Sequence, residues 1–267
     1  MKTNPTVDQV AIECGLTKNQ TRRFIYLGAL EKDNKGKVTR ESVDRLKRCY
    51  QLPPKPITRG SDNMYIVIEG PDRSGKDTQA KRLARYLVET TGHAPLLISE
   101  PCTDLPTGRL LRQLLKAGAL PEAHAALFMA DRVALQKNVV CPALEAGRTV
   151  ISVRSFMSTL VYQQDHWPIK TLYEIQKPML LAKPSHIIVL DVDPEVAQER
   201  MKTDPGRAEC YEVLETQKRV SQRYFELVLD SDFWDIWPKS NPPLSIVIPG
   251  GLSKNDVQEK IIEFLGV

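Results

Sequence analysis

The sequence predicts an α/β fold, a doubly wound parallel-sheet domain, preceded by a small N-terminal helical domain. Three observations predict it. "MYIVIEG", Met64 to Gly70, is a short β-branched apolar run, of the kind buried on both faces of a parallel sheet. It feeds through a glycine-containing loop into the helical "TQAKRLARYLVET", the strand-loop-helix order from which such sheets are wound. The proline-rich "QLPPKPITRGSDN" separates these elements from residues 1–50, because three prolines and a glycine exclude regular helix and favour an extended connector. The expected organisation is a head over 1–50, a linker over 51–63 and a body over 64–267 with about five parallel strands.

Composition agrees. With 267 residues, 42% hydrophobic and 26% charged, the chain can bury one large core plus a small second module. It contains no apolar run of about eighteen residues, and "MKTNPTVDQV" lacks a signal-like apolar region, so a soluble, cytoplasmic protein without membrane contact is expected. Cys14, Cys49, Cys102, Cys141 and Cys210 lie far apart with no CxxC spacing, which argues against a zinc site or a disulfide framework. The formal net charge of +4 is unevenly divided: residues 1–60 hold 13 Lys/Arg against 6 Asp/Glu, leaving 24 against 27 for the rest. A basic head on a mildly acidic body points to DNA as a candidate partner of the head.

Within the head, Val7, Val10 and Ala11 recur at helical spacing behind Thr6 as cap, and Gly15 breaks the pattern. A second helix is expected after Thr17, carrying Thr21, Arg22, Phe24, Ile25 and Leu27 up to Gly28. Asn34-Lys35-Gly36 fits a hairpin turn, and "RESVDRLKRCY" a third helix. With "TRRFIYLGAL" as its second helix, this order resembles the winged helix-turn-helix of the MerR or excisionase type. The resemblance implies that Lys18, Asn19, Gln20, Arg22 and Arg23 meet phosphates and base edges of DNA.

The loop after the first body strand reads Gly70-x4-Gly75-Lys76, the spacing of a phosphate-binding loop. Its backbone N–H groups turn towards phosphate oxygens, the helix start adds partial positive charge, and the lysine bridges the outer phosphates. The expected phosphate-binding set is Gly70, Ser74, Gly75, Lys76, Asp77 and Thr78.

From Met64 to Val267 the chain resembles the thymidylate kinases (dTMP kinases). The matching blocks occur in order: "IEGPDRSGKDTQ", "ISEPCTDLPTGRLLRQLL" with Glu100-Pro101, "LFMADRVAL", "VISVRSFMSTLVYQ" and "HIIVLDVDPEVAQERM". The resemblance implies transfer of the γ-phosphoryl group of ATP to a deoxypyrimidine monophosphate, most simply dTMP, by a homodimer. It implies that Phe128 stacks on the acceptor base and Arg132 bonds its carbonyl edge, with Glu100 in the family's Glu-Pro. Thr159, Tyr162 and Gln163 would line the base and sugar side, Asp72 would meet the sugar and Arg154 the acceptor phosphate. Arg73, inside the loop, is placed to stabilise charge on the transferred group, with Arg207 of the lid segment as helper.

Three positions depart from the family pattern. Asp77 replaces the Ser/Thr whose hydroxyl helps hold Mg²⁺, Ser99 stands where an arginine precedes the Glu-Pro, and Val153 replaces the aspartate of an Asp-Arg pair. A carboxylate is a good hard ligand for Mg²⁺, so Asp77 is the expected metal ligand. The altered acceptor side leaves two alternatives to a dNMP kinase: a kinase acting on a hydroxyl in DNA presented by the head, or a DNA-binding regulator that senses a nucleotide.

Overall fold

The computed structural model describes residues 3–14, 21, 25, 30–44, 63–118, 120–202, 214–229, 243–250 and 252–267. In the head, Thr6 and Gln9 bond reciprocally, side chain to backbone, at 2.8 and 3.3 Å. This capping box starts α1, Val7–Cys14. The expected hairpin is present as a bridge between Lys32 and Val38. Asp33 shapes its turn, one carboxylate oxygen accepting from the Lys35 and Lys37 N–H groups at 2.9 Å each. Residues 40–44 are helical. Val10, Leu30, Val38 and Val43 form a small core of their own. Lys18, Asn19, Gln20, Arg22 and Arg23 lie outside the described residues, as does linker segment 51–62.

The body carries the expected five-stranded sheet: β1 Tyr65–Glu69, β2 Leu96–Ser99, β3 Val150–Val153, β4 His186–Asp191 and β5 Leu244–Pro249. The order is β2-β3-β1-β4-β5, every pair parallel. The strand period of two divides β1 between two cores. Tyr65 and Val67 join one with Ile98, Phe156, Leu160 and Tyr224, whereas Ile66 and Ile68 join the other with Leu83, Leu87, Ile248 and Ile261. Both sheet faces are thereby covered, which is why the strand reads as an unbroken apolar run.

The second core packs α2, Lys76–Thr91, and α10, Lys254–Leu265, on one face. The other face takes α4 His124–Leu135, α6 Phe156–Tyr162, α7 Ile169–Gln176 and α9 Leu214–Leu229, with α3 Pro106–Ala117 packed on α4, while α5 Cys141–Glu145 and α8 Pro194–Lys202 complete the helices used below. The approach of α3 to the loop before it requires Gly108. A Cβ there would stand 2.1 Å from the Cys102 carbonyl oxygen. Asp131 of α4 fastens the same corner, accepting from the Cys102 N–H at 2.8 Å and the Thr107 hydroxyl at 2.7 Å. Cys102 and Cys141 are not joined in a disulfide, and no helix among the described residues is long and apolar enough to cross a membrane.

Candidate active site

The site lies beyond the carboxyl ends of β1 and β3, in the central part of the sheet, where open parallel sheets bind ligands. The loop from Gly70 to Gly75 leaves β1 and becomes α2, with Gly75 as N-cap in a left-handed conformation at φ 96° that favours glycine. The Gln79 N–H closes the first turn of α2 on the Gly75 carbonyl at 3.0 Å. Lys76 is buried, its ammonium donating to the Pro71 carbonyl and to the Ser74 hydroxyl. Burial and the nearby Arg154 guanidinium pull its pKa down to about 8, against the opposing pull of Asp72, Asp77 and Glu69.

Asp72 and Arg154, expected to meet different parts of one acceptor, meet each other: the guanidinium donates from Nη2 to Asp72 Oδ1. The Tyr162 hydroxyl donates to Asp72 Oδ2 at 3.2 Å, and the Gln217 side chain adds a 3.4 Å bond there while accepting the Asp72 N–H at 3.1 Å. Burial works to raise the Asp72 carboxyl, but Arg154, Lys76 and these donors outweigh it and hold it below the usual range. Arg154 also lies over the Tyr162 ring, 5.1 Å from its centroid. Its own backbone is left-handed at φ 72°. Val153 is buried in β3, paired with Ile68 and Ser99. Asp72 therefore supplies Arg154 with the carboxylate that its neighbour lacks.

Arg132 points into protein. Nε and Nη2 donate to Glu100 Oε2 at 2.9 and 2.7 Å, Nη2 also reaches the Ser155 carbonyl and the Thr159 hydroxyl, and Nη1 reaches Gln176 at 2.5 Å. A guanidinium has five N–H groups, so this arginine enters any base contact already committed to organising α4, α6 and α7. Burial raises the Glu100 carboxyl, opposed by Arg132. Thr159 and Gln163 are buried and Phe128 is half-buried. The Gln163 N–H bonds the Thr159 carbonyl at 3.2 Å, closing α6. The elements Glu100, Arg132, Thr159, Tyr162 and Gln163 are thus brought to one side of β1.

Arg73 is half-buried with φ 63°, and its carbonyl accepts from Arg200 of α8 at 3.0 Å. Asp77 and Thr78 are exposed in the first turn of α2. Among the described residues no group of three or more His, Cys, Asp or Glu side chains could hold a metal. Mg²⁺ keeps several waters and takes one or two carboxylates together with substrate phosphates, and Asp77 offers one exposed carboxylate next to Lys76. Arg207 lies outside the described residues.

Sequence reading missed Glu69. It ends β1, is fully buried, and accepts from the hydroxyls of Ser155, Ser158 and Tyr224 at 2.7, 2.8 and 2.8 Å. An acid closing an otherwise apolar strand was the available signal. Gln217, likewise fully buried, was missed because it lies 145 residues from Asp72.

An open parallel sheet whose central strand ends in this lysine-bearing loop, with an arginine-aspartate pair alongside, defines a P-loop phosphotransferase. The family profile described as thymidylate kinase matches residues 68–244. A "Probable thymidylate kinase" of Thermococcus kodakarensis is 35% identical over 178 residues, covering 61% of this chain and 83% of the relative. Thymidylate kinases of Carboxydothermus hydrogenoformans and Dinoroseobacter shibae are 34% and 33% identical, covering 63% and 76% of this chain and 86% and 96% of the relatives. The chain belongs to the thymidylate kinase family, and is a nucleoside monophosphate kinase.

Proposed function

We propose that the body moves the γ-phosphoryl group of ATP to dTMP, forming dTDP and ADP, in the cytoplasm. The observation that carries this reading is the cluster of Lys76, Asp72, Arg154 and Tyr162 around one loop, which supports Lys76 as the donor-phosphate lysine and Arg154 as the acceptor-side arginine. Lys76 exchanges its loop carbonyl for the outer phosphates of ATP, assisted by the N–H groups of Gly70 to Thr78. Arg154 holds the acceptor phosphate, and Asp72 passes from Arg154 to the acceptor sugar. Tyr162 walls the sugar side, disfavouring a 2′-hydroxyl, and Phe128 stacks on the base. Arg132 offers its remaining donor capacity to the base carbonyl, alongside Thr159, Gln163 and Glu100. An acceptor phosphate oxygen attacks the γ-phosphorus as the bond to the β–γ bridging oxygen breaks, and Arg73, helped by Arg207, stabilises the charge on the moving group. Mg²⁺, held by Asp77, supplies charge neutralisation and alignment of the phosphates when bound.

The head is proposed to bind DNA, supported by exposed Lys32, Lys35 and Lys37 on its hairpin. The assembly is proposed as a homodimer, supported by half-exposed Leu110 on α3 and Leu120 just after it. A coupled ADP-release assay with dTMP, other deoxynucleoside monophosphates and duplex DNA tests the reaction. Turnover with dTMP is expected. Turnover with DNA alone would replace the reading by a polynucleotide kinase, and none with any acceptor by a nucleotide-sensing regulator.

A further inference from the structure

We infer that Glu69 is a positioning residue of the acceptor site: its carboxylate sets the direction of the hydroxyl protons around it and so presents the Ser158 oxygen to Arg154. The inference rests on the reading that Arg154 holds the acceptor phosphate.

Glu69 lies at the end of β1 with no solvent exposure, and each of the hydroxyls of Ser155, Ser158 and Tyr224 donates to it. The Glu69 carboxylate oxygens are acceptors, so the Ser155 and Ser158 protons point inward, while Tyr224 shares its single proton between Glu69 and the Ser158 oxygen 2.9 Å away. The lone pairs of the two serines then point outward and meet N–H groups. Ser158 Oγ accepts from Arg154 Nη1 at 3.3 Å, and Ser155 Oγ accepts from the Met157 N–H at 3.3 Å as the cap of α6. The Tyr224 hydroxyl, 2.9 Å from Ser158 Oγ, closes the ring of contacts from α9.

Arg154 needs this support. Val153 gives it no carboxylate, and its backbone occupies a left-handed conformation. One arm of its guanidinium is tied to Asp72 and the other, through Ser158, to Glu69. Both ties end on the strand and loop that hold the donor phosphates, so they set the acceptor arginine against the donor site. An amide at position 69 would break the arrangement without changing its size. Its NH₂ group must find an acceptor among the hydroxyl oxygens, which redistributes their protons and weakens the hold of Ser158 on Arg154.

Side-chain ¹⁵N NMR of the full chain, with the Arg154 signal assigned through Arg154→Lys, tests this. In Glu69→Gln and in Ser158→Ala, exchange at the Arg154 guanidinium is expected to rise about tenfold as a charge-assisted network is lost. In parallel kinetics the acceptor KM is expected to rise about tenfold with the ATP KM within about twofold, and the double variant to be no worse than the worse single one. Unchanged Arg154 exchange in both variants overturns the inference, whatever the kinetics. Equal rises in both KM values overturn it too, since they describe general loosening. A wild-type chain that turns over no monophosphate defeats the proposed reaction, while the NMR comparison, made without substrate, still decides Glu69.

Discussion

Asp72 in the phosphate loop and Arg154 at the end of β3, 82 residues apart in sequence, form an ion pair in the centre of the site. Because the pair holds the Asp72 carboxyl below its usual range, its stabilisation is complete above the ordinary carboxylate pKa and is lost as pH falls through the lowered folded value. Wild-type unfolding free energy is therefore expected to decline below about pH 4 in part through this residue, and Asp72→Asn to remove that part of the slope. At neutral pH, Asp72→Asn should cost ~1–3 kcal/mol, measurable by denaturant unfolding.

Arg73 combines a positive φ with a place inside the loop. Arg73→Ala is expected to lower kcat by about two to four orders of magnitude while ATP affinity changes little, as for loss of a group that acts on transition-state charge. Arg73→Gly, which suits the backbone better, should be equally inactive yet as stable as wild type or more so. Recovery of turnover in the glycine variant would show that backbone geometry, and not the guanidinium, carries the effect.

Asp77, exposed at the start of α2, separates two situations that calorimetry distinguishes. With Mg²⁺, wild-type ATP affinity is expected to exceed that in chelator by about tenfold or more, and Asp77→Ala to erase most of the difference. Without metal, Asp77→Ala should bind ATP better than wild type, since a carboxylate facing phosphates repels them. Equal affinity with Mg²⁺ and with chelator in the wild type would rule out the metal role.

Gly108 has no space for a side chain against the Cys102 backbone. Gly108→Ala must displace α3 or the turn that Asp131 fastens, at an expected cost of ~1–3 kcal/mol in chemical unfolding. The same displacement shifts Glu100, so the acceptor KM should rise more than the ATP KM.

Local chemistry was readable wherever it is written in consecutive residues. The apolar β1, the glycine spacing of the loop, the Thr6 cap and the turn at Asn34-Lys35-Gly36 all act within a few positions of themselves, and all appear in the structure. The sheet's size was readable too, from the doubly wound class that the strand-loop-helix order predicts. Glu69 was not, because its partners lie 86, 89 and 155 residues away and a single acid ending a strand has no periodicity to reveal it. The inward commitment of Arg132 was hidden likewise, since Glu100 after β2 and Gln176 of α7 come to it only through tertiary packing. The π-helical turn at Gln136–Val140 breaks the helical period between α4 and α5 and leaves no mark in a pattern of apolar spacing.

The strand order places β1 between β3 on one side and β4 on the other. Everything assigned to the acceptor beyond the loop comes from the stretch 100–163, which wraps the β2-β3 side, whereas Arg200 and the β5 to α10 turn belong to the other flank. On the proposed reading of the site, acceptor choice is modular. A contiguous exchange of about sixty residues, leaving the loop, α8 and α10 untouched, is the natural graft for redirecting such an enzyme to a different monophosphate, with Glu69, Gln176 and α9 as splints that any graft must still fit.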